Sequence, residues 1–182
     1  MSSRFLALLR GINVGGHNII KKDDLRACFE DLGFESVKTY IQSGNILFRS
    51  GSTSVKTLTG RVEEGLSDRF GYDAQTLVLS HRQYRTALEA APAGWGEDDT
   101  KKHNALFTLR STTPAKVIRM APPPREGVDE ISTGPGVIFW SISKKLVGRS
   151  SGTKFAASPV YRQVTVRNHN TVFKLLELFD QL

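Results

Sequence analysis

The sequence contains very little cysteine and no long apolar run. Its 182 residues include one cysteine, Cys28, which excludes an internal disulfide framework and an all-cysteine metal site. A chain without disulfides fits a reducing compartment best, so a cytoplasmic location is expected. No apolar stretch approaches the roughly 20 residues that a transmembrane helix requires, and no membrane partner is expected. The short apolar run within Arg4–Arg10 ends at an arginine, which favours a buried strand over a signal peptide.

Acidic residues are missing from a long stretch near the end of the chain. No Asp or Glu lies between Ile131 and Leu176, and the seven cations of this stretch equal the net charge of +7 of the whole chain. Such a surface favours anionic partners, although a solvated basic face is the other interpretation. The cations that suggest a nucleic-acid partner are Lys144, Lys145, Arg149 and Lys154, and the stretch also carries Arg162, Arg167 and Lys174.

Patterns that bind a metal or activate a nucleophile are also missing. None of the four histidines shows H-x-x-x-H or H-E-x-x-H spacing, so no metal site is expected. Ser43 is a candidate nucleophile in a polar cluster, but it lacks the G-x-S-x-G elbow and no histidine is assigned to it as a base. The sequence therefore assigns no catalytic residue and no cofactor.

Hydrophobic periodicity predicts a ferredoxin-like half in residues 1–80. Two helices are expected, one opened by Asp23 and stopped by Gly33, the other from about Val55 to Phe70. Cys28 belongs to the apolar stripe of the first helix, which predicts a buried and inert thiol. The resulting order β-α-β-β-α-β is the split βαβ arrangement. Its strands are expected at Arg4–Arg10, Val37–Gln42, Ile46–Arg49 and Gln75–Leu79.

The rest of the chain is expected to hold a linker and a second ferredoxin-like half. Residues 81–102 are predicted to form a helix, opened by the Ser80–Gln83 capping box, and a loop. Residues 103–182 approximate the same order of elements and close with a helix capped by Asn170 or Thr171. Lys144–Val160 fits either a short helix or a loop. The predicted fold class is α+β, with two ferredoxin-like halves and a closing C-terminal helix.

Two loops offer places for a small anion. Gly11–Asn18 has the glycine spacing of a phosphate loop but lacks its lysine and its serine or threonine, which argues against nucleotide hydrolysis. The glycines still allow backbone amides near Arg10 to approach an anion, or they simply serve a tight crossover. Arg167–Thr171 precedes the last helix, where free amides suit an anion unless the asparagines only cap the helix.

Three polar segments follow one another along the chain: Leu8–Gly16, Thr39–Asn45 and Arg167–Thr171 followed by Lys174 and Leu175. In this order they resemble the family known as domain of unknown function (DUF) 1697. The chain departs from the pattern at His17, where lysine is frequent, and at His169, where tryptophan is expected. The resemblance implies paired ferredoxin-like units in mostly bacterial proteins, with no established reaction, substrate or cofactor.

The three segments supply polar groups that suit ligand binding better than acid–base chemistry. The leading hypothesis is a site for a small anionic or nucleotide-like ligand where they converge. A nucleic-acid-binding module on the basic 144–174 surface and an enzyme assembled from the three segments are the alternatives. The candidate ligand-binding residues are Arg10, Asn13, Gly15, Gly16, Gln42, Ser43, Asn45, Arg167, Asn168, Asn170 and Thr171.

Overall fold

The chain folds into two four-stranded antiparallel sheets with helices between the strands, which confirms the predicted α+β class. The computed structural model describes residues 2–13, 16–41 and 44–182. The chain divides into two compact units. The first unit comprises the chain up to Tyr84 together with Leu175–Leu182, and the second comprises Arg85–Lys174.

The first unit is a ferredoxin-like sheet with the strand order β2-β3-β1-β4. Both of its crossover helices pack apolar stripes against one sheet face and bury residues such as Phe29 and Val62. Cys28 is 3% exposed in this core, as its place in the stripe predicts. The elements are β1 Ser3–Arg10, α1 Lys22–Asp31, β2 Glu35–Tyr40, β3 Asn45–Ser50, α2 Val55–Phe70 and β4 Gln75–Ser80.

Helix termini in the first half follow the signals in the sequence. Ser54 caps α2, because its hydroxyl accepts a hydrogen bond from the Thr57 N–H, and Gly71 ends the helix with a φ of 67°. Helix α3, His81–Glu89, begins at the predicted capping box. The Gln83 side chain accepts from the Ser80 N–H, and the Ser80 hydroxyl accepts from the Gln83 N–H.

The second unit repeats the same strand order, as β6-β7-β5-β8. Every neighbouring pair of strands is antiparallel, so this unit is also a four-stranded ferredoxin-like sheet. Helix α4 takes the place of the first crossover helix and buries Val117 against the sheet. The elements are β5 Lys101–Thr108, α4 Pro114–Met120, β6 Asp129–Gly134, β7 Val137–Ser143 and β8 Val164–Asn168.

The connection from β7 to β8 differs from its counterpart in the first unit. There α2 supplies 16 helical residues, whereas here α5 spans only Gly152–Ala156 and buries only Phe155. A 3-10 helix precedes α5 at Lys144–Arg149, and another follows it at Pro159–Gln163. The connection therefore covers less of the sheet than a full crossover helix would.

The last helix, α6, spans His169–Asp180 and begins earlier than the sequence suggests. The cap is Asn168, whose side-chain oxygen accepts from the Thr171 N–H at 2.9 Å, and Asn170 and Thr171 lie inside the first turn. None of the helices in the described ranges is long and apolar enough to cross a membrane.

Candidate ligand site

Asn13, in the first of the three segments, and Asn18, just beyond that segment, close a loop of the first unit. The Asn13 amide donates to the Ile20 carbonyl at 3.0 Å and accepts from the Ile20 N–H at 2.8 Å. The Asn18 amide donates to the Gly11 carbonyl at 2.9 Å. Asn13 and Asn18 both have positive φ, a conformation that asparagine tolerates better than most residues. These side chains shape the backbone of the loop.

The second predicted segment meets the first within the same unit. The Leu9 N–H donates to the Gly44 carbonyl at 2.8 Å, and a β-carbon at Gly44 would lie 2.7 Å from the β-carbon of Leu9. Asn45 is 1% exposed and its amide donates to the Tyr40 carbonyl. Gly15, Gln42 and Ser43 lie outside the described residues.

The third predicted segment belongs to the second unit. Arg167 is buried, and its guanidinium donates to the Thr165 hydroxyl at 2.9 Å and to the Val166 carbonyl at 2.8 Å. Asn168 caps α6, Thr171 is buried and Asn170 is exposed. The structure thus brings the first two segments together and places the third in the other unit. A ligand site shared by all three stays a prediction.

One cavity of the second unit, on the α5 side of the sheet, was not predicted from the sequence. A cavity of about 390 Å³ lies on the sheet face that α4 and α5 cover, where the short α5 leaves the sheet open. Ligand pockets commonly have volumes of about 300 to 1,000 Å³. The lining residues are Lys102, Asn104, Leu106, Trp140, Ile142, Val147, Ser150, Gly152, Thr153, Phe155, Ala156, Tyr161 and Val166.

Aromatic rings form much of this cavity. Trp140 and Phe155 are almost completely buried, and their ring centroids are 5.2 Å apart. Phe155 also contacts Tyr161 edge to face, with the centroids 5.6 Å apart. Aromatic pairs in such arrangements stabilise each other beyond simple burial, so this apolar floor is favourably packed.

A buried carboxylate holds the cavity wall in place. Asp129, on β6, accepts hydrogen bonds from the Trp140 indole at 3.1 Å and from the Ser150 hydroxyl at 2.5 Å. It also accepts from the Ser151 N–H and hydroxyl and from the Arg125 N–H. Burial raises the pKa of Asp129, but hydrogen bonds, first of all from Ser150, outweigh it and lower that pKa to about 2. The carboxylate is ionised at neutral pH and fixes both the indole and the Ser150–Ser151 turn.

Cations lie at one end of the cavity. Lys102 lines it and is exposed, and the Lys144 N–H donates to the Thr100 carbonyl, which places Lys144 beside the start of β5. No acidic residue lines the cavity. Within the described ranges, no acidic side chain pairs with Lys102 or with the four cations that suggest a nucleic-acid partner. These cations are Lys102, Lys144, Lys145, Arg149 and Lys154.

A second cavity, of about 410 Å³, lies on the opposite face of the same sheet. His103 and Ser141 line it, and their side chains bond to each other at 2.8 Å. The other ring nitrogen of His103 lies 3.0 Å from the Asp98 carbonyl, which can only accept, so that nitrogen carries the proton. Both nitrogens are thus occupied within the fold. At the rim, Lys101 pairs with Asp98 and Glu130.

Neither cavity contains a recognisable metal centre. In the part of the chain that the structure describes, no three His, Cys, Asp or Glu side chains are grouped so that they could hold a metal ion. The cavity on the α5 face, with its aromatic floor and cationic end, is therefore the candidate ligand site. Its aromatic residues were not selected from the sequence, because nothing there distinguishes Trp140 and Phe155 from ordinary core residues.

Comparisons with known proteins place the chain in a family. The family model described as protein of unknown function (DUF1697) matches residues 2–139. The structure of a conserved bacterial protein from Streptococcus pneumoniae aligns with a TM-score of 0.87 at 29% sequence identity, covering 98% of this chain and 99% of that one. No curated protein matches. Neither description assigns an activity. The chain belongs to the DUF1697 family.

Proposed function

We propose that the second unit binds a small anionic ligand with a flat, apolar part, in the cavity on its α5 face. The proposal is supported by an aromatic floor, a cavity of suitable volume and, at one end, cations that have no acidic partner among the described residues. A nucleotide or an aryl phosphate has this division into an apolar ring and an anionic group. On this proposal, the three segments that resemble the family serve the fold, and the connection between β7 and β8 contributes to the binding site.

The charge at the cavity end provides a direct test. Nucleoside monophosphates and 1-naphthyl phosphate are titrated against the protein, and the melting temperature is followed. A ligand at ten times its Kd stabilises the folded state by about 1.4 kcal/mol, which raises the Tm by about 3 to 5 °C in a chain of this size. Lys102→Gln should weaken binding about tenfold, because it removes one charged hydrogen bond to the anion. Lys56→Gln, an exposed lysine on α2, should leave the affinity unchanged.

The cavity volume provides a second, independent test with a matched pair of variants. Ala156 and Ala157 are both exposed, but only Ala156 lines the cavity. Ala156→Trp should fill the cavity and abolish binding, whereas Ala157→Trp should bind as the wild type does. If no ligand of the panel shifts the melting temperature of the wild type, or if both tryptophan variants bind equally well, the proposed site is wrong.

A second candidate function is binding of nucleic acid by the same segment. The observation that favours it is the exposure of Lys144, Lys145, Arg149 and Lys154 on one short connection, without an acidic partner among the described residues. Cations grouped in this way can neutralise several phosphates of one strand. This function uses the outer surface of the segment and does not require the cavity.

A further inference from the structure

The side chains of strand β5 that line the cavity change from charged to apolar along the strand. Lys102, Asn104 and Leu106 alternate along the strand and therefore point to the same sheet face. Lys102 is exposed, Asn104 is half-buried and Leu106 is buried. Successive positions on one face are roughly 7 Å apart. A ligand lying along this strand meets first a charge, then an amide and finally an apolar surface.

Most hydrogen-bonding groups around Asn104 are already occupied. The Trp140 indole N–H and the Ser150 hydroxyl both donate to Asp129, so the tryptophan offers the ligand only its ring. Asn168, the neighbour of Asn104 on β8, uses its side-chain oxygen to cap α6. By contrast, no group in the described ranges hydrogen-bonds to the side-chain amide of Asn104. A planar group with a free NH2 donor and a free carbonyl acceptor therefore faces the cavity.

We propose that Asn104 recognises the polar edge of a nucleobase, which makes the ligand a nucleotide rather than any aromatic anion. This inference rests on the function proposed above. A side-chain amide pairs in two places with a base edge that carries an acceptor next to a donor, as in direct recognition of bases by asparagine. The phosphate then lies at Lys102 and the ring against Trp140. The sugar then spans the distance between the phosphate and the base ring.

The test compares ligands that share a phosphate but differ in the ring or in the polar edge of the ring. The four nucleoside monophosphates, 1-naphthyl phosphate and ribose 5-phosphate are titrated by calorimetry against the wild type. At least one nucleotide should bind about tenfold more tightly than 1-naphthyl phosphate, because a bidentate pair contributes discrimination of that order. Ribose 5-phosphate, which lacks the ring, should bind more weakly than either.

Two exchanges at Asn104 isolate the contact. Asn104→Leu keeps the size of the side chain and should lower nucleotide affinity about tenfold while leaving 1-naphthyl phosphate unchanged. Asn104→Asp offers two acceptors and should shift the preference towards guanine, whose edge carries two adjacent donors. Lys56→Gln, at an exposed lysine of α2 outside the cavity, should leave the affinities and their order among the nucleotides unchanged.

The outcomes separate the two proposals. If 1-naphthyl phosphate binds as tightly as every nucleotide and Asn104→Leu changes neither, recognition of a base is overturned while the proposed anion site stands. If no ligand binds the wild type, both are overturned. Should Asn104→Leu fail to fold, the aspartate variant decides: an unchanged order of affinities among the four nucleotides overturns the inference.

Discussion

At the scale of single residues, the polar side chains that mark the sequence mostly shape the backbone. The amides of Asn13 and Asn45 bond to backbone groups, and Asn168 caps a helix. Asparagine suits these tasks because its short amide can take the place of a backbone group in a turn. The sequence alone does not distinguish such an amide from one that binds a ligand, since both require the same residue type in a loop. Their role in binding stays a prediction.

Asp129 should make the stability of the second unit depend on acid pH. Its pKa of about 2 lies below the ordinary value of 3.8, so its contribution is present above about pH 4 and is lost as the pH falls towards 2. The shift corresponds to about 2 kcal/mol in the free energy of unfolding. Asp129→Asn should therefore be less stable by at least about this amount at pH 7 and should lose less stability on acidification.

Denaturant unfolding at a series of pH values measures both effects of this exchange. Asp73→Asn, at an exposed aspartate of the first unit, serves as the control and should unfold as the wild type does. Equal stability of Asp129→Asn and wild type at pH 7 would show that the hydrogen bonds around the carboxylate do not stabilise the fold.

Cys28 should react slowly in the native protein. It is buried on α1, and burial raises the pKa of its thiol, which reduces the reactive thiolate at neutral pH. A bulky thiol reagent should label one equivalent quickly in denaturant and far more slowly without it. An exposed cysteine, Lys56→Cys in a Cys28→Ser background, should label quickly under both conditions. Rapid native labelling of Cys28 would contradict the burial of α1 against its sheet.

At the scale of elements, the sequence predicts helices well where caps and an apolar stripe coincide. Helix α2 runs from Val55 to Phe70 as expected, because Ser54 caps it and Gly71 ends it. The β7–β8 connection shows the limit of this approach. Its two 3-10 helices and the five-residue α5 are too short to display a helical period. The cavity depends on how little of the sheet this connection covers, which no local pattern records.

The packing of the Gly44 turn against the end of β1 can be tested with a matched pair of glycines. Gly44 and Gly71 have φ values of 74° and 67°, so alanine is strained at both by about 1 to 2 kcal/mol. Only at Gly44 would the new methyl collide, 2.7 Å from the β-carbon of Leu9, which cannot rotate away. Gly71 has open space around it. Gly44→Ala should therefore destabilise the protein by about 1 to 3 kcal/mol more than Gly71→Ala.

Denaturant unfolding of the two alanine variants measures this difference directly. Because both exchanges carry the same backbone strain, the excess at Gly44 reports the contact alone. Equal losses would show that the turn does not pack against Leu9 as closely as the structure indicates.

At the scale of the whole molecule, the charge is distributed unevenly along the chain. The net charge of +7 equals the number of cations between Ile131 and Leu176, a stretch without acidic residues, so the rest of the chain is balanced. The connection that lines the cavity lies in this stretch. Two anionic partners therefore compete as explanations of the same charges: a small ligand in the cavity, and a nucleic acid across the surface.

Salt dependence and separate variants distinguish the two partners. If Lys144, Lys145, Arg149 and Lys154 bind single-stranded nucleic acid, the slope of log K against log salt should be about −3, because each neutralised phosphate contributes about 0.7. Lys144→Glu combined with Arg149→Glu should reduce that slope by about half, whereas Lys56→Glu should leave it unchanged.

Ala156→Trp, which fills the cavity, should not weaken binding of nucleic acid but should abolish binding of nucleotides. Absence of any gel shift with single- or double-stranded RNA or DNA at low salt would exclude the nucleic-acid function. If the single exchange Ala156→Trp abolished binding of nucleotides and of nucleic acid, the strand would instead enter the cavity, with one of its bases in the place of the free nucleotide.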